Sequence, residues 1–547
     1  MTRWRGCLFL ALSLGLAACG EAPPNVLLIT IDTQRADRLG CYGNQVATPA
    51  MDRMAREGTL FEQASTTIPR TSQAIASLFT GQYPAEHGAR EIGEYLSSEA
   101  LTLAEVFAAR GYQTAGVSAN GLAGRFQGLH QGFDEFVDAI DLARAYPLWN
   151  ELASPDGEWV GSAEAVTREA LRILQGWTEK PWFLWVHYSD PHFPYSPPPP
   201  EVTASQAREF YEDMPSFEPR ASTIFFDLNG RASALRPVLS RMYDREVVYT
   251  DKWIGTLMAQ VRSVPGADRM VMALTSDHGE SLGEHGYFYE HGDFVYEATM
   301  RIPFVFHAPG RVAAGGRIGE VASIIDLPAT LLGLAGVEVP STMSGWDWSK
   351  RLGRESPASG EAPRGLEGRV VFGESGSALR PQNPRRIHGG RRRGEGPTQR
   401  PFRSVRRGQW VLLRNEGSAR VSLYDTAADP ALKNDRADEQ VSLARELETR
   451  LAPDVLDGRW RMARDDRWKL VRAPVEQGDQ WSLFDLESDP GEENDVSQDH
   501  PAELSRLRSA LEGWMAGDQT DVPVSPSRGD AVEAEVERQL RSLGYID

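Results

Sequence analysis

The sequence predicts an α/β fold: a large central sheet flanked by helices, followed by a smaller C-terminal antiparallel α+β domain containing a duplicated hairpin. Three observations carry this. Apolar runs of strand length alternate with helix-period patterns, the alternation stops where the composition changes near Met343, and a Trp-led motif then occurs twice.

The first run, Asn25 to Ile31, is continuous and β-branched, as a strand buried on both faces should be, and it ends at Asp32. Gln113 to Ser118, Trp182 to His187, Met270 to Thr275 and Ile302 to Phe306 read as further strands. Leu101 to Arg110, Ala163 to Trp177, Arg241 to Val261 and Asp326 to Ala335 read as helices. Ligands of such sheets bind beyond the carboxyl ends of the strands, and Asp32 and Asp277 stand at two of these ends. Phe193 to Arg236, with Pro197 to Pro200 inside it, interrupts the alternation and is expected as a surface insertion able to act as a lid.

Residues 25–343 are therefore expected as the catalytic domain, and 344–407 as a linker ending in an exposed loop, Arg380 to Arg407, with ten Arg against one Glu. Residues 408–547 form the C-terminal domain, with repeat copies at 408–451 and 466–514 and a terminal helix. Arg407-Gly-Gln-Trp410 with Leu423-Tyr-Asp425 and Asn434-Asp435 matches Asp466-Arg-Trp468 with Leu483-Phe-Asp485 and Asn494-Asp495. Each copy reads as a hairpin, an Asp-Pro turn and a helix.

The 547 residues leave room for two to four domains, and 41% hydrophobic residues exclude collagen and bulk disorder. With 58 basic against 77 acidic side chains the net charge is −19, which argues against a nucleic-acid partner. At the N-terminus Arg3 and Arg5 precede the apolar run Cys7 to Leu16, which ends in Leu16-Ala17-Ala18-Cys19-Gly20. That pattern is a secretory signal whose end resembles a bacterial lipobox. Residues 1–18 would be removed, Cys19 lipidated and 19–24 left as a tether, so the chain is expected in the bacterial cell envelope, on the periplasmic or outer-membrane face. Cys41 alone then remains, without an internal disulfide, and burial is expected for it.

Three clusters carry chemistry. Asp32 closes the first strand; Thr71 lies in Pro69-Arg-Thr71-Ser-Gln-Ala-Ile-Ala-Ser-Leu-Phe-Thr-Gly81; Asp277-His278-Gly279-Glu280 and Glu284-His285-Gly286 follow a later strand. A carboxylate, a hydroxyl at a helix N-terminus and an Asp-His pair suit a divalent cation bridging nucleophile and substrate oxygen.

In this order, and together with Trp185-Val-His187-Tyr-Ser-Asp-Pro-His192 and Tyr296-Glu-Ala-Thr-Met-Arg-Ile-Pro303, the clusters resemble the sulfatase family of the alkaline phosphatase superfamily. The resemblance implies that family's fold, an anionic ester as substrate, and a metal held by Asp32, Thr71, Asp277 and His278. Thr71 would be the nucleophile, with Thr67 as the rival in a shifted register, and His192 would protonate the leaving group, assisted by His285 or His291.

Departures from the family pattern are equally informative. Thr71-Ser-Gln-Ala-Ile75 lacks the oxidisable Cys or Ser and the Pro and Arg of the formylglycine motif, so no formylglycine is expected; Thr33 replaces a second acid, and none of the five Lys aligns with the family's active-site lysines. A threonine ester must be cleaved by water at sulfur or phosphorus, which favours phosphoric mono- or diesters, including those of an envelope glycan or lipid. The alternatives are a formylglycine-independent sulfatase, an envelope phosphotransferase and a non-catalytic binding lipoprotein. The donor set would accept Mn, Zn, Mg or Ca, with the His tilting it away from Ca; a second cation on His285 and His291 is the less favoured arrangement. His187 and His87 read as packed structural residues, Arg35 and Asp37 as supports of the loop after the first strand, and Glu280 as a supporting acid.

Overall fold

The computed structural model describes residues 22–90, 94–146, 162–177, 180–193, 195, 231–353, 369–376, 402–407, 410–415, 421–425, 435–449, 459–475 and 478–517. The signal segment, most of the 193–236 insertion, residues 380–401 of the Arg-rich segment and the terminal helix lie outside them.

An eight-stranded sheet forms the centre, in the order Gly316–Ile318, Thr59–Phe61, Phe304–His307, Val271–Ser276, Val26–Ile31, Trp182–Tyr188, Gln113–Ser118, Glu135–Val137. Val26–Ile31 runs parallel to both its neighbours, pairing Thr30 with His187 and Thr275, and Ile31 with Tyr188 and Ser276. Phe304–His307 is antiparallel to Val271–Ser276, so the sheet is mixed.

Alternation along the first strand explains why it is central. Leu27, Ile29 and Ile31 enter one core with helices Pro49–Glu57, Ser162–Gly176 and Arg231–Val261. Val26 and Leu28 enter the other, with helices Thr71–Thr80, Leu103–Ala109 and Asp326–Ala335. All six residues of the strand are buried, and each large aliphatic side chain so covered contributes about 1.5–3 kcal/mol. Every apolar position is used, hence the unbroken hydrophobic run.

The C-terminal region departs from the expected boundaries. Val371–Glu374, placed in the linker on composition, is an edge strand of a four-stranded antiparallel sheet with Arg461–Arg464, Trp468–Val475 and Gly478–Asp485. Phe402–Arg407, assigned to the exposed loop, pairs with Trp410–Asn415, which pairs with Val421–Asp425. A ladder of backbone hydrogen bonds outweighs the charged composition that suggested a loop. The duplication is real in three dimensions: Trp410 pairs with Asp425 as Trp468 pairs with Asp485. The Leu423 amide donates to Asp435 Oδ1 at 3.0 Å as the Leu483 amide donates to Asp495 Oδ1 at 3.1 Å. Helices Val441–Thr449 and Pro501–Gly517 follow the two copies.

The second copy packs on the region of the large sheet through Met462, Val471 and Phe484 against Val295 and Met300. Beside them lies an ion cluster: Lys469 Nζ sits 3.0 Å from Glu297 and 2.8 Å from Glu492, and Arg464 Nη1 is 3.1 Å from Glu297. Nearer the site, the Gly376 amide donates to Gly292 O at 2.7 Å and the Glu374 amide to Thr67 O at 2.9 Å. Among the described residues no helix is long and apolar enough to cross a membrane.

Candidate active site

Three strand ends and one helix start converge. Asp32 follows Val26–Ile31, and its amide donates to Tyr188 O at 2.9 Å. The chain then turns through Thr33, at a left-handed φ of 53°, a conformation that costs a β-branched residue about 1–3 kcal/mol. Neighbours hold it: Tyr243 donates to Thr33 O at 2.8 Å and accepts from the Arg35 amide at 2.9 Å. Arg35 pairs with Asp37 and Glu284 and donates to Glu280 O, so Arg35 and Asp37 support this loop.

Each carboxylate of the pair has one oxygen engaged and one without a partner. Asp32 Oδ2 accepts from Asn120 Nδ2, leaving Oδ1. Asp277 Oδ1 accepts from the Thr33 and His278 amides at 3.2 and 2.8 Å, leaving Oδ2. The third orphan is His187 Nε2, 3.8 Å from Asp32 Oδ2. Ligand atoms of Asp32, His187 and Asp277 lie within 4.8 Å of one another and all three residues are fully buried. Burial, then the nearby Asp277 charge, holds the Asp32 carboxyl well above the usual range. Buried like charges with unpartnered oxygens are costly, and a cation between them relieves that cost.

Thr71 opens helix Thr71–Thr80, where the backbone dipole favours developing negative charge. Its Oγ1 lies 3.3 Å from His278 Nε2, which is 3.5 Å from Asp277 Oδ2 and 3.9 Å from Asp32 Oδ1. His278 Nδ1 faces Gly279 O at 2.9 Å, so Nε2 turns its lone pair toward this group. Thr67, the rival, instead donates to Ser77 Oγ at 2.9 Å, and Ser77 contacts His87 Nε2 at 3.0 Å. Burial, with Arg90 nearby, pushes His87 down to about 3, in keeping with a structural role.

His291 and His192 complete the wall. The His291 ring centre is 4.3 Å from that of His278 and 5.3 Å from that of His192. His291 Nδ1 is 3.0 Å from Glu280 Oε1, and His192 Nδ1 is 2.5 Å from Phe193 O. Burial holds His187 and His278 down to about 4 and His291 to about 3, so these imidazoles are neutral near pH 7; burial pushes Glu280 up to about 7.

The fourth catalytic candidate lies elsewhere. His285 adopts a left-handed φ of 54° and its ring stacks on Tyr296, 3.7 Å between centres and 9° from coplanar. The aromatic contact sets the direction of its ring, and no contact of His285 with Thr71 or His291 accompanies it among those described. Two residues escaped sequence reasoning. Asn120 follows strand Gln113–Ser118, and the strand-end criterion that found Asp32 would have found it. His187 lies inside an apolar strand, and its signal was pairing with Thr30, visible once the register is known. Cys41 is half-buried rather than covered, and burial raises its thiol to about 12.

A family model described as Sulfatase matches residues 24–337. The chain belongs to the sulfatase family. This sulfatase-family hydrolase is 27% identical over 427 residues to an ulvan-active sulfatase of Formosa agariphila, covering 75% of this chain and 76% of that protein. It is 26% identical over 384 residues to an arylsulfatase of Clostridium perfringens, covering 59% and 77%. Among solved structures, a 2-O GAG sulfatase superposes with a TM-score of 0.60 at 17% identity, covering 91% of this chain and 93% of that one. A phosphonate monoester hydrolase of Silicibacter pomeroyi superposes with a TM-score of 0.59 at 20% identity, covering 92% and 97%. Both likenesses establish the sulfatase-like α/β fold.

Proposed function

We propose that the chain hydrolyses an anionic ester, with phosphoric mono- or diesters preferred over sulfuric esters, using Thr71 as nucleophile. The observation that carries this is the approach of the Thr71 hydroxyl to His278 Nε2 beside the two half-satisfied carboxylates. Asp32, Asp277 and His278, with the Thr71 oxygen, fit a divalent cation in charge and donor type. When bound, it supplies neutralisation of the ester's charge and a lowered pKa for the hydroxyl.

The residues then divide the reaction. As the Thr71 oxygen bonds to phosphorus, its proton passes to a neutral imidazole, His192 or His291, and the imidazolium so formed protonates the leaving oxygen as its bond to phosphorus breaks. Water then attacks the phosphothreonine; one of its protons passes through the same imidazole to the departing Thr71 oxygen, restoring the hydroxyl, and the other stays on the released phosphate. Glu280 orients His291. Having no formylglycine precursor at Thr71, the chain regenerates its nucleophile by hydrolysis at phosphorus, the step on which the substrate preference rests.

The experiment offers p-nitrophenyl phosphate, bis(p-nitrophenyl) phosphate, phenylphosphonate and p-nitrophenyl sulfate esters to the protein supplied with Mn²⁺ or Zn²⁺. Turnover of the phosphorus esters is expected; turnover of the sulfate alone overturns the preference, and no turnover of any favours the binding-lipoprotein reading. Cys19 as a lipid anchor in the bacterial envelope belongs to the same proposal, supported by the Leu16-Ala17-Ala18-Cys19 motif. Metabolic labelling with a fatty acid that persists in Cys19→Ala would remove it.

A further inference from the structure

Resting on the cation reading above, we propose that His187 is a further ligand of the same ion and that Thr30, backed by Trp185, holds it in the ligating tautomer. His187 sits within the fully buried strand Trp182–Tyr188 and pairs in register with Thr30. Its Nδ1 is 2.8 Å from Thr30 Oγ1, and Trp185 Nε1–H donates to that same oxygen at 2.9 Å.

A ligating histidine needs one ring nitrogen fixed by an acceptor so that the other presents its lone pair. In the proposed tautomer Nδ1–H donates to Thr30 Oγ1, 2.8 Å away. Trp185 occupies one lone pair of that oxygen and so orients the other. Nε2 is left facing the carboxylates, 3.8 Å from Asp32 Oδ2, with no other partner. A merely packed core histidine has no reason to aim an unsatisfied nitrogen at two buried acids. Trp185 is itself locked, edge to face with Phe79 of the Thr71 helix at 4.8 Å, so the relay and the nucleophile share one packing unit.

The consequence is a change in metal class. With His187 beside His278 the donor set holds two imidazoles, two carboxylates and a hydroxyl. Such a set selects a transition-metal ion such as Zn²⁺ over Ca²⁺ or Mg²⁺, which prefer oxygen throughout.

The test is calorimetric titration of the chelator-stripped full chain with ZnCl₂ and CaCl₂, with visible spectra of the Co²⁺ form. Wild type is compared with Thr30→Val, His187→Gln and Asp277→Asn, each checked for folding by circular dichroism. Wild type is expected to bind Zn²⁺ more tightly than Ca²⁺. Thr30→Val should weaken Zn²⁺ on the order of 10- to 100-fold, His187→Gln further, and both should alter the Co²⁺ d–d bands while leaving Ca²⁺ affinity nearly unchanged. Should His187→Gln fail to fold, Thr30→Val, close to isosteric, decides alone. Unchanged Zn²⁺ affinity and Co²⁺ spectra in the folded variants, with Asp277→Asn still weakened, overturn the role of His187 and leave the cation site standing. A wild type that binds Ca²⁺ more tightly than Zn²⁺ overturns the donor set, and one that binds neither ion removes the cation reading and this inference with it.

Discussion

Thr71 Oγ1 and His278 Nε2 lie 3.3 Å apart although 207 positions separate them in the chain. One opens a helix and the other follows a strand, so their distance is fixed by how that helix packs on the sheet. Thr71→Ala is expected to lower kcat by about three orders of magnitude or more, with an unchanged thermal midpoint; Thr71→Ser should keep measurable turnover. Thr67→Val should behave oppositely, lowering the midpoint through the lost Ser77 contact and altering kcat less than tenfold. Steady-state kinetics beside a melting curve checks both.

Asn120 bridges Asp32 to its own loop, donating to Asp32 Oδ2 and accepting from the Leu122 amide at 2.6 Å. The loop is tied to helix Thr71–Thr80 where Ser72 donates to Leu122 O at 2.7 Å. Asn120→Ala is expected to cost about tenfold in activity by freeing Asp32. Asn120→Asp should cost more, because it places a like charge against a carboxylate already held in an apolar interior. Activity of the two variants against wild type gives the order.

Glu297, Lys469 and Arg464 form an ion cluster at the domain junction. Burial works to raise the Glu297 carboxyl, but Arg464, then Lys469, outweigh it and hold it down to about 2. Glu492, raised by burial, takes the first proton as pH falls. A carboxylate depressed in the fold stabilises above its unfolded pKa, here about 4.5 for Glu, and that stability is lost as pH falls toward 2. Glu297→Gln should therefore cost about 3 kcal/mol at pH 7, and the difference from wild type should fade between about pH 4.5 and 2. Thermal unfolding of both proteins across that range measures it.

Gly376 and Gly292 enclose the Arg70 guanidinium. A Cβ on Gly376 would stand 1.8 Å from Arg70 Cζ, and one on Gly292, which has a left-handed φ of 99°, would stand 2.8 Å from Arg70 Nε. Gly376→Val is expected to push Arg70 away and, through the next residue, disturb Thr71, lowering kcat about tenfold or more. The thermal midpoint should move by only a few degrees. An unaltered kcat would mean that Arg70 moves without consequence for Thr71.

What was legible in the sequence follows the length and burial of each element. Val26–Ile31, Gln113–Ser118 and Val271–Ser276 are within a residue of their expected limits; the first and the last are buried at every position, and burial on both faces leaves a run of apolar residues. Thr59–Phe61, Glu135–Val137 and Gly316–Ile318 are three residues each, too short to show a period, and were missed. Phe402–Arg407 was missed because its Arg residues resemble a solvated loop and only its partner strand reveals it. In the site, Asp32, Thr71, Asp277, His278, His192 and His291 are brought together; Asp32, Thr71 and the Asp277-His278 pair stand at element ends that the pattern marks, whereas His192 and His291 follow from the family resemblance. His285 was drawn in by its neighbours in a Gly-rich stretch, whereas the direction of its ring is set by Tyr296, a tertiary contact.

The middle of the sheet is three parallel strands with Thr30 opposite both His187 and Thr275, and Ile31 opposite Ser276, one residue before Asp277. A protein engineer wishing to transplant this centre onto another scaffold could not carry it as a single loop. The three adjacent strands would have to travel together at their present stagger, since sliding any one by a residue would send its donor to the opposite side of the sheet.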